Sequence, residues 1–264
     1  MDKKFLEECL EKGMSTRDIE KICDKKRSTI SYWIKKYNLN EKSKYQKYDN
    51  YKFEKIDTPE KAYILGFLLA DSAINNCQVE LSVMMKDKII AEFISSVLRC
   101  NVVYDNTFNK KARRFPRARI HKKITDILKF TGGEKKVDRH YPRIRSDLER
   151  YMILGLFDSD GCLTWGRRKD RNRIWQKVIF TSQLKILEGI QKYLINKLHI
   201  STVIRPKGNE KCYVLEFSNR NDVLKFCEHI YPNDDFIILQ RKYLKYKALR
   251  LELEENGGST EKAC

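Results

Sequence analysis

Residues 64–72 read ILGFLLADS, and residues 153–161 read ILGLFDSDG. Each phrase is apolar for most of its length, has small residues at its third and seventh places, and carries an aspartate at its eighth. On a helix, Gly66 with Ala70, and Gly155 with Ser159, stack one turn apart on a single face. Glycine inside a helix costs about 0.8–1 kcal/mol relative to alanine, so two glycines at matching places call for a packing reason. Small faces let helix backbones approach closely. If the two copies meet through them about a pseudo-twofold axis, Asp71 and Asp160 arrive side by side. Carboxylates that near each other repel unless cations neutralise them, and hard divalent ions with oxygen ligands, Mg²⁺ foremost, suit such a place. Taken alone, each phrase also reads as a buried helix that ends in an exposed acid.

The two aspartates lie 89 residues apart, a period suited to two copies of a small domain rather than to a solenoid. The copies agree beyond the phrase. Alternating sequence around Val79, Leu81 and Val83 predicts a strand, and KDKIIAEFISSVLRC predicts a helix with Ile89, Ile90, Phe93, Ile94 and Val97 on one face. NVVYDNTF and ARIHK read as strands before a helix near ITDILKFTG. In the second copy CLTWGRR, IWQKVIFT, STVIRPK and CYVLEF read as strands, and SQLKILEGIQKYLINKLH and NRNDVLKFCEHIY as helices. The expected class is α+β, each copy running α-β-β-α-β-β-α with antiparallel hairpins and helices on one face of the sheet.

Composition narrows the function. Apolar residues make up 41% of 264 residues and charged residues 34%, which disfavours both global disorder and a membrane protein. The apolar runs fall short of the roughly 18–20 residues of a bilayer span, and the charged N-terminus lacks a secretory core, so a cytosolic setting is expected. Eight scattered cysteines show neither paired nor zinc-ligand spacing and read as reduced apolar filler. The net charge of +18 points to a polyanionic partner. The excess concentrates in residues 105–145, where fourteen Lys or Arg face four acids.

The N-terminus reads as a separate unit, residues 1–45. A capping box at Ser15 and Asp18 opens a short helix with Ile19 and Ile22 on one face, and Ser28 caps a second with Ile30, Trp33, Ile34 and Tyr37 at helical spacing. Two short helices with Thr29, Ser31 and Lys35 turned outward resemble a helix-turn-helix DNA reader; an ordinary helical hairpin is the other reading. Residues 46–60 read as a basic linker, 61–146 and 147–254 as the two copies, and 255–264 as a tail.

The nonapeptides resemble the two LAGLIDADG motifs of the homing endonuclease family, and the repeat order matches over about 190 residues. The resemblance implies two pseudo-symmetric domains forming a basic saddle of antiparallel strands. It further implies a metal-dependent, site-specific DNA endonuclease encoded by an intron, an intein or a free-standing gene. In the family the last acidic residue of each motif binds the catalytic metals, which here means Asp71 and Asp160 sharing two or more divalent ions. A basic residue from each copy near the metals is also implied, with Lys242 and Lys136 as candidates. Both copies on one chain imply a monomer on a long asymmetric site.

Two departures stand out. Leu69 replaces the first motif's other acid, and Ser72 replaces a glycine that would let the chain leave the helix through a left-handed conformation. A serine there is able to distort the first site, and whether it attenuates the enzyme is left open by the sequence. Base reading falls to strands lying as ribbons in the major groove: Asn75, Asn76, Gln78, Glu80, Arg117, Arg119 and His121 in the first copy, and Arg167, Arg168, Arg173, Gln176, Arg205 and Lys211 in the second. The rivals are a DNA-binding regulator that has lost cleavage and an RNA maturase acting on its own intron.

Overall fold

Three short helices come first, α1 (Lys3–Glu11), α2 (Thr16–Ile22) and α3 (Arg27–Lys36). A computed structural model describes the chain over residues 1–11, 14–39, 53–110, 115–168, 174–208, 212–231 and 236–257. Ser15 and Asp18 form the expected capping box on α2. Leu6, Cys9, Leu10, Ile19, Ile30 and Ile34 close a small core of their own, and the Tyr37 hydroxyl donates to the Met1 carbonyl at 2.8 Å. Two expectations fail here. Ile22 is exposed, because its place on α2 points away from α1 and α3, and Ser28 lies one residue inside α3, whose N-cap is Lys26 without a side-chain cap. The helix α1, not foreseen, supplies half of this core.

Two similar units follow. The first contains α4 (Pro59–Asp71), β1 (Ser72–Asn75), β2 (Gln78–Met84), α5 (Lys88–Leu98), β3 (Val102–Asp105), β4 (Arg117–Lys123) and α6 (Ile127–Thr131). The second contains α7 (Glu149–Asp160), β5 (Gly161–Arg167), β6 (Ile174–Ser182), α8 (Leu184–Leu198), β7 (Val203–Pro206), β8 (Tyr213–Phe217) and α9 (Arg220–Ile230), and α10 (Gln240–Gly257) ends the described chain. Each unit has one antiparallel sheet, ordered β1-β2-β4-β3 and β5-β6-β8-β7. The α+β expectation and the repeat order hold. Among the described residues no helix is long and apolar enough to cross a membrane, and the described cysteines are free thiols, with Cys162 exposed rather than buried filler.

Helices α4 and α7 are apolar all round because they are buried all round. Every residue from Ala62 to Ala70 and from Met152 to Asp158 is buried. Thr58 caps α4 by accepting from the Lys61 amide, with Pro59 at the first turn. Around this pair runs one continuous core that takes in both sheets, α5, α8 and α9. On α5 the buried stripe is Ile90, Ala91, Ile94 and Leu98, so Ile89, expected inside, is half exposed. The presumed linker is not free after residue 52: Phe53 and Ile56 are buried, and the Phe53 and Glu54 amides donate to the Asp126 carboxylate at 2.9 and 2.7 Å.

Each sheet has its helices on one face only. Inward strand positions are Val79, Leu81, Val83, Ala118 and Ile120 in the first unit and Leu163, Val178, Phe180, Leu215 and Phe217 in the second. The alternate positions form two open faces, and their identity is fixed by this register.

Candidate functional site

The site begins at the crossing of α4 and α7. A side chain added to Gly66 would come within 2.0 Å of the Met152 carbonyl oxygen, and one added to Gly155 within 2.1 Å of the Tyr63 carbonyl oxygen. The backbones are therefore in direct contact, which is the packing reason the two helical glycines required. Ala70 is buried, and the Ser159 hydroxyl donates back to the Gly155 and Leu156 carbonyls of its own helix.

Asp71 and Asp160 occupy equivalent last positions of these helices, and both are exposed at the residue level. The Asp160 carboxyl is pushed up to about 6, first by partial desolvation and then by the charge of Asp71; the ammonium groups of Lys136 and Lys242 pull the other way.

The ends of α4 and α7 are held by two cations in equivalent ways. The buried Lys242 ammonium donates to the carbonyls of Phe157, Asp158 and Gly161 at 2.5, 2.8 and 2.6 Å. The buried Arg139 guanidinium donates to the carbonyls of Leu68, Leu69 and Ser72 at 3.0, 2.9 and 2.9 Å. These carbonyls correspond one for one across the repeat, and they are the groups a helix C-terminus leaves without partners. Lys242 thus caps the helix end, its three protons on carbonyls, while its charge also reaches Asp160. Burial draws it down to about 8, with the nearby Asp158 charge opposing. Lys136, at the head of a short 3₁₀ turn, is exposed, and its charge reaches Asp160. Arg139 escaped the sequence reading, where it is one of several basic residues that follow the third helix of its copy.

Asp158, at the motif's other acidic place, joins the units. It is buried, and one carboxylate oxygen accepts from the Tyr63 hydroxyl of α4 at 3.0 Å and from the Leu239 amide at 2.9 Å. Burial raises it to about 6. Beside it Arg241 pairs with the carboxylate of the buried Asp87 at 3.1 Å, tying the head of α10 to the first unit.

Ser72 is accommodated without backbone strain. Its backbone is extended (φ −87°, ψ 149°), as is that of Gly161 (φ −74°, ψ 158°), so neither position needs a left-handed residue. The Ser72 hydroxyl donates to the Leu68 carbonyl at 2.5 Å. Glycine is required at 161 for a different reason: an added side chain would strike the Phe157 ring at 2.3 Å.

The open faces carry most of the other expected residues. Asn75, Gln78, Glu80, Arg117, Arg119 and His121 lie on the open face of the first sheet, in cross-strand pairs such as Glu80 with His121. Asn76 is exposed in the two-residue β1–β2 turn, where both it and Cys77 have positive φ (48° and 60°). Arg119 also pairs with Asp105 at 3.1 Å. In the second sheet Arg205 is on the open face and Arg168 is exposed just past β5. Gln176 and Arg167 are corrected. Both share the covered face with Leu163 and Val178; the Gln176 amide donates to the Ser218 carbonyl at 2.7 Å, and Arg167 pairs with Glu252 of α10. Lys122, part of the basic stretch, is buried and donates to the Arg99 carbonyl. Arg173, Lys211 and residues 111–114 lie outside the described residues. On α3, Ser31 and Lys35 are exposed and Thr29 is half-buried.

A pair of Asp carboxylates fits hard divalent cations only if further oxygen ligands come from backbone, water or a bound anion, since among the described residues no third acid, His or Cys joins them. The mutual repulsion of Asp71 and Asp160, only partly offset by Lys136 and Lys242, is consistent with that donor set.

Comparison with known proteins places this geometry. Residues 147–231 match the family model of the LAGLIDADG-like domain. No curated protein sequence matches the chain. Among solved structures, the LAGLIDADG meganuclease I-AabMI bound to uncleaved DNA is similar, with a TM-score of 0.52 and 11% identity over 75% of this chain and 92% of that one. The I-SmaMI homing endonuclease bound to cleaved DNA has a TM-score of 0.51 and 12% identity over 78% and 93% of the two chains. For I-LtrWI bound to its target DNA the values are 0.52 and 12% over 75% and 91%. Residues 147–231 thus match a LAGLIDADG-like domain, and the two paired units of the chain together have the fold of the LAGLIDADG homing endonucleases.

Proposed function

We propose that the chain is a site-specific endonuclease that acts as a monomer on double-stranded DNA and hydrolyses phosphodiesters across a long asymmetric site. The observation that carries this reading is that Asp71 and Asp160 end two helices packed backbone to backbone at equivalent positions. The fold-level relatives bound to uncleaved and cleaved DNA support the choice of substrate. Divalent ions such as Mg²⁺ held by these two carboxylates would supply an activated water and charge stabilisation at the scissile phosphate. The chain's own residues do the rest. Arg139 and Lys242 hold the two helix ends in place, Lys136 adds positive charge beside Asp160, and the open sheet faces lie in the major groove on either side. The N-terminal helices act as an additional DNA reader, with Ser31 and Lys35 of α3 toward the groove and Thr29 beside them.

The test is selection of cleaved sites from a randomised duplex library with Mg²⁺, repeated with Ca²⁺ and with Asp71→Asn and Asp160→Asn. The expected result is one long unrepeated site, cut by the native chain with Mg²⁺ and bound but uncut by either variant. A native chain that binds such a site and leaves it intact with Mg²⁺, Mn²⁺ or Ca²⁺ would instead be a DNA-binding regulator.

A further inference from the structure

The two open sheet faces differ in chemistry. The first is polar and basic: Asn75, Gln78, Arg117, Arg119, His121 and Lys123 project from it. The second is mixed, an apolar set that shares the face with Lys177, Glu216 and, at the edge, Arg205. Its register puts Cys162, Ile179, Glu216 and Val203 in one cross-strand row, with Val214 between Thr181 and Arg205 in the next and Trp175 facing Gly166 of β5. Trp175 and Val203 are 42% and 60% exposed, so these side chains stand open rather than packed. The indole lies over Gly166, where an added side chain would meet it at 3.2–3.3 Å, so its outer face is presented to whatever approaches the sheet. Of the two central charges on this face, Lys177 and Glu216 neutralise each other at 3.1 Å.

From this we infer that the second sheet selects a half-site rich in thymine, read through C5-methyl groups, with Trp175 as its main specificity-determining residue. Apolar side chains gain by covering a thymine methyl in the major groove. They cannot donate to guanine O6 and N7 or accept from cytosine N4, so a G·C pair beneath them loses water without gaining a hydrogen bond. The first sheet has more donors for guanine; on the second, Arg205 lies at the edge beside Val214, so the thymine preference belongs to the positions beneath Trp175, Cys162 and Ile179. The inference rests on the DNA-binding reading above and goes beyond it by assigning the composition of one half.

The experiment uses the full chain, Ca²⁺ and duplexes taken from the library selection. Arg119→Ala identifies the half under the first sheet, because only there does base preference relax. In the other half, T·A pairs are expected to be enriched at several adjoining positions. Replacing each thymine there by uracil, which deletes only the methyl, is expected to weaken binding about fourfold per methyl. The same replacement in the first half is expected to have little effect. In Trp175→Ala the uracil penalty shrinks at the position beneath the indole, the coupling a direct contact gives; Val203→Ala provides an independent edge position. Enrichment of G·C pairs in the second half, or equal binding of thymine and uracil duplexes by the native chain, overturns the inference while the DNA-binding reading stands. Failure to select any duplex overturns both.

Discussion

Gly66 and Gly155 each occupy the place where the other helix's backbone passes: the missing side chain of Gly66 faces the Met152 carbonyl, and that of Gly155 faces the Tyr63 carbonyl. Met152 and Tyr63 are themselves equivalent under the repeat, so the contact is twofold-symmetric down to single atoms. Neither carbonyl is a flexible group that can swing away. Gly155→Ala must therefore push α4 and α7 apart along their whole shared core, and it should exceed the usual overpacking cost of about 1–3 kcal/mol. The expected outcome is a loss of at least about 3 kcal/mol in denaturant unfolding, with a similar loss for Gly66→Ala and little more for the pair, since one separation relieves both.

The cations at the helix ends give a second expectation. Lys242→Met keeps the aliphatic bulk and removes three donors from carbonyls that are shut away from water. Leaving even one such acceptor unsatisfied costs about 1–3 kcal/mol. Thermal and urea unfolding should both register a loss of about 3 kcal/mol, and Arg139→Met should behave alike. Lys242→Arg should retain more of the stability than Lys242→Met, because the first unit performs the same task with a guanidinium.

Ser72 and Gly161 invert the ordinary expectation for the ends of the two motifs. Ser72→Gly removes a hydroxyl that bonds the Leu68 carbonyl and frees an extended backbone position, so it should cost about 1 kcal/mol and should not raise cleavage. Gly161→Ser should be the damaging change, because it drives an atom into the Phe157 ring. A faster cleavage rate in Ser72→Gly would show that the native serine does impair its site.

What the sequence disclosed and what it hid follow one physical divide. The repeat and the helix crossing were legible because two helical glycines at matching places admit few explanations. Face assignments were legible where hydrophobic alternation is clean, as in Val79, Leu81 and Val83. They failed at Arg167 and Gln176, which lie on the covered side because Leu163 and Val178 set the register two or more residues further along. Arg139 and the true task of Lys242 were hidden for another reason: both bind backbone carbonyls, which leave no trace in side-chain identity. Ser72 was misjudged because glycine was credited with a backbone conformation when its value at position 161 is the space beside Phe157.

His229 supplies a pH dependence remote from the carboxylates. It is half-buried, sits 2.6 Å from the Tyr193 hydroxyl, and is drawn below the ordinary histidine value by burial and by the charges of Arg150 and Lys197. The unfolded chain therefore binds this proton more readily than the folded one. The stabilising contribution is complete above the unfolded value, near 6.5, and is lost as pH falls through the lowered folded value. Unfolding free energies measured from pH 8 to 5 should fall less steeply in His229→Gln than in the native chain. Equal slopes would remove this histidine from the acid response.

Arg119 and Arg167 test the two sides of a sheet against each other. Arg119 is on the open face of the first sheet, where its pair with Asp105 is partly exposed, whereas Arg167 is turned to the covered face and engages Glu252 of α10. Exposed pairs of this kind contribute roughly 0–1 kcal/mol, so neither Arg119→Ala nor Arg167→Ala should unfold the chain. Their effects on DNA should diverge. If Arg119 contacts the duplex, its loss weakens binding, through a base edge by about 1–3 kcal/mol with relaxed preference at one position, or through a phosphate by lowering the salt slope by about 1. Arg167→Ala should leave affinity, salt slope and selected sequence unchanged while lowering the melting temperature slightly. Titrations of both variants against one duplex at several salt concentrations separate these outcomes. A loss of affinity in Arg167→Ala equal to that in Arg119→Ala would mean that DNA reaches the face covered by α10, and the assignment of the open faces as the nucleic-acid surface would have to be given up.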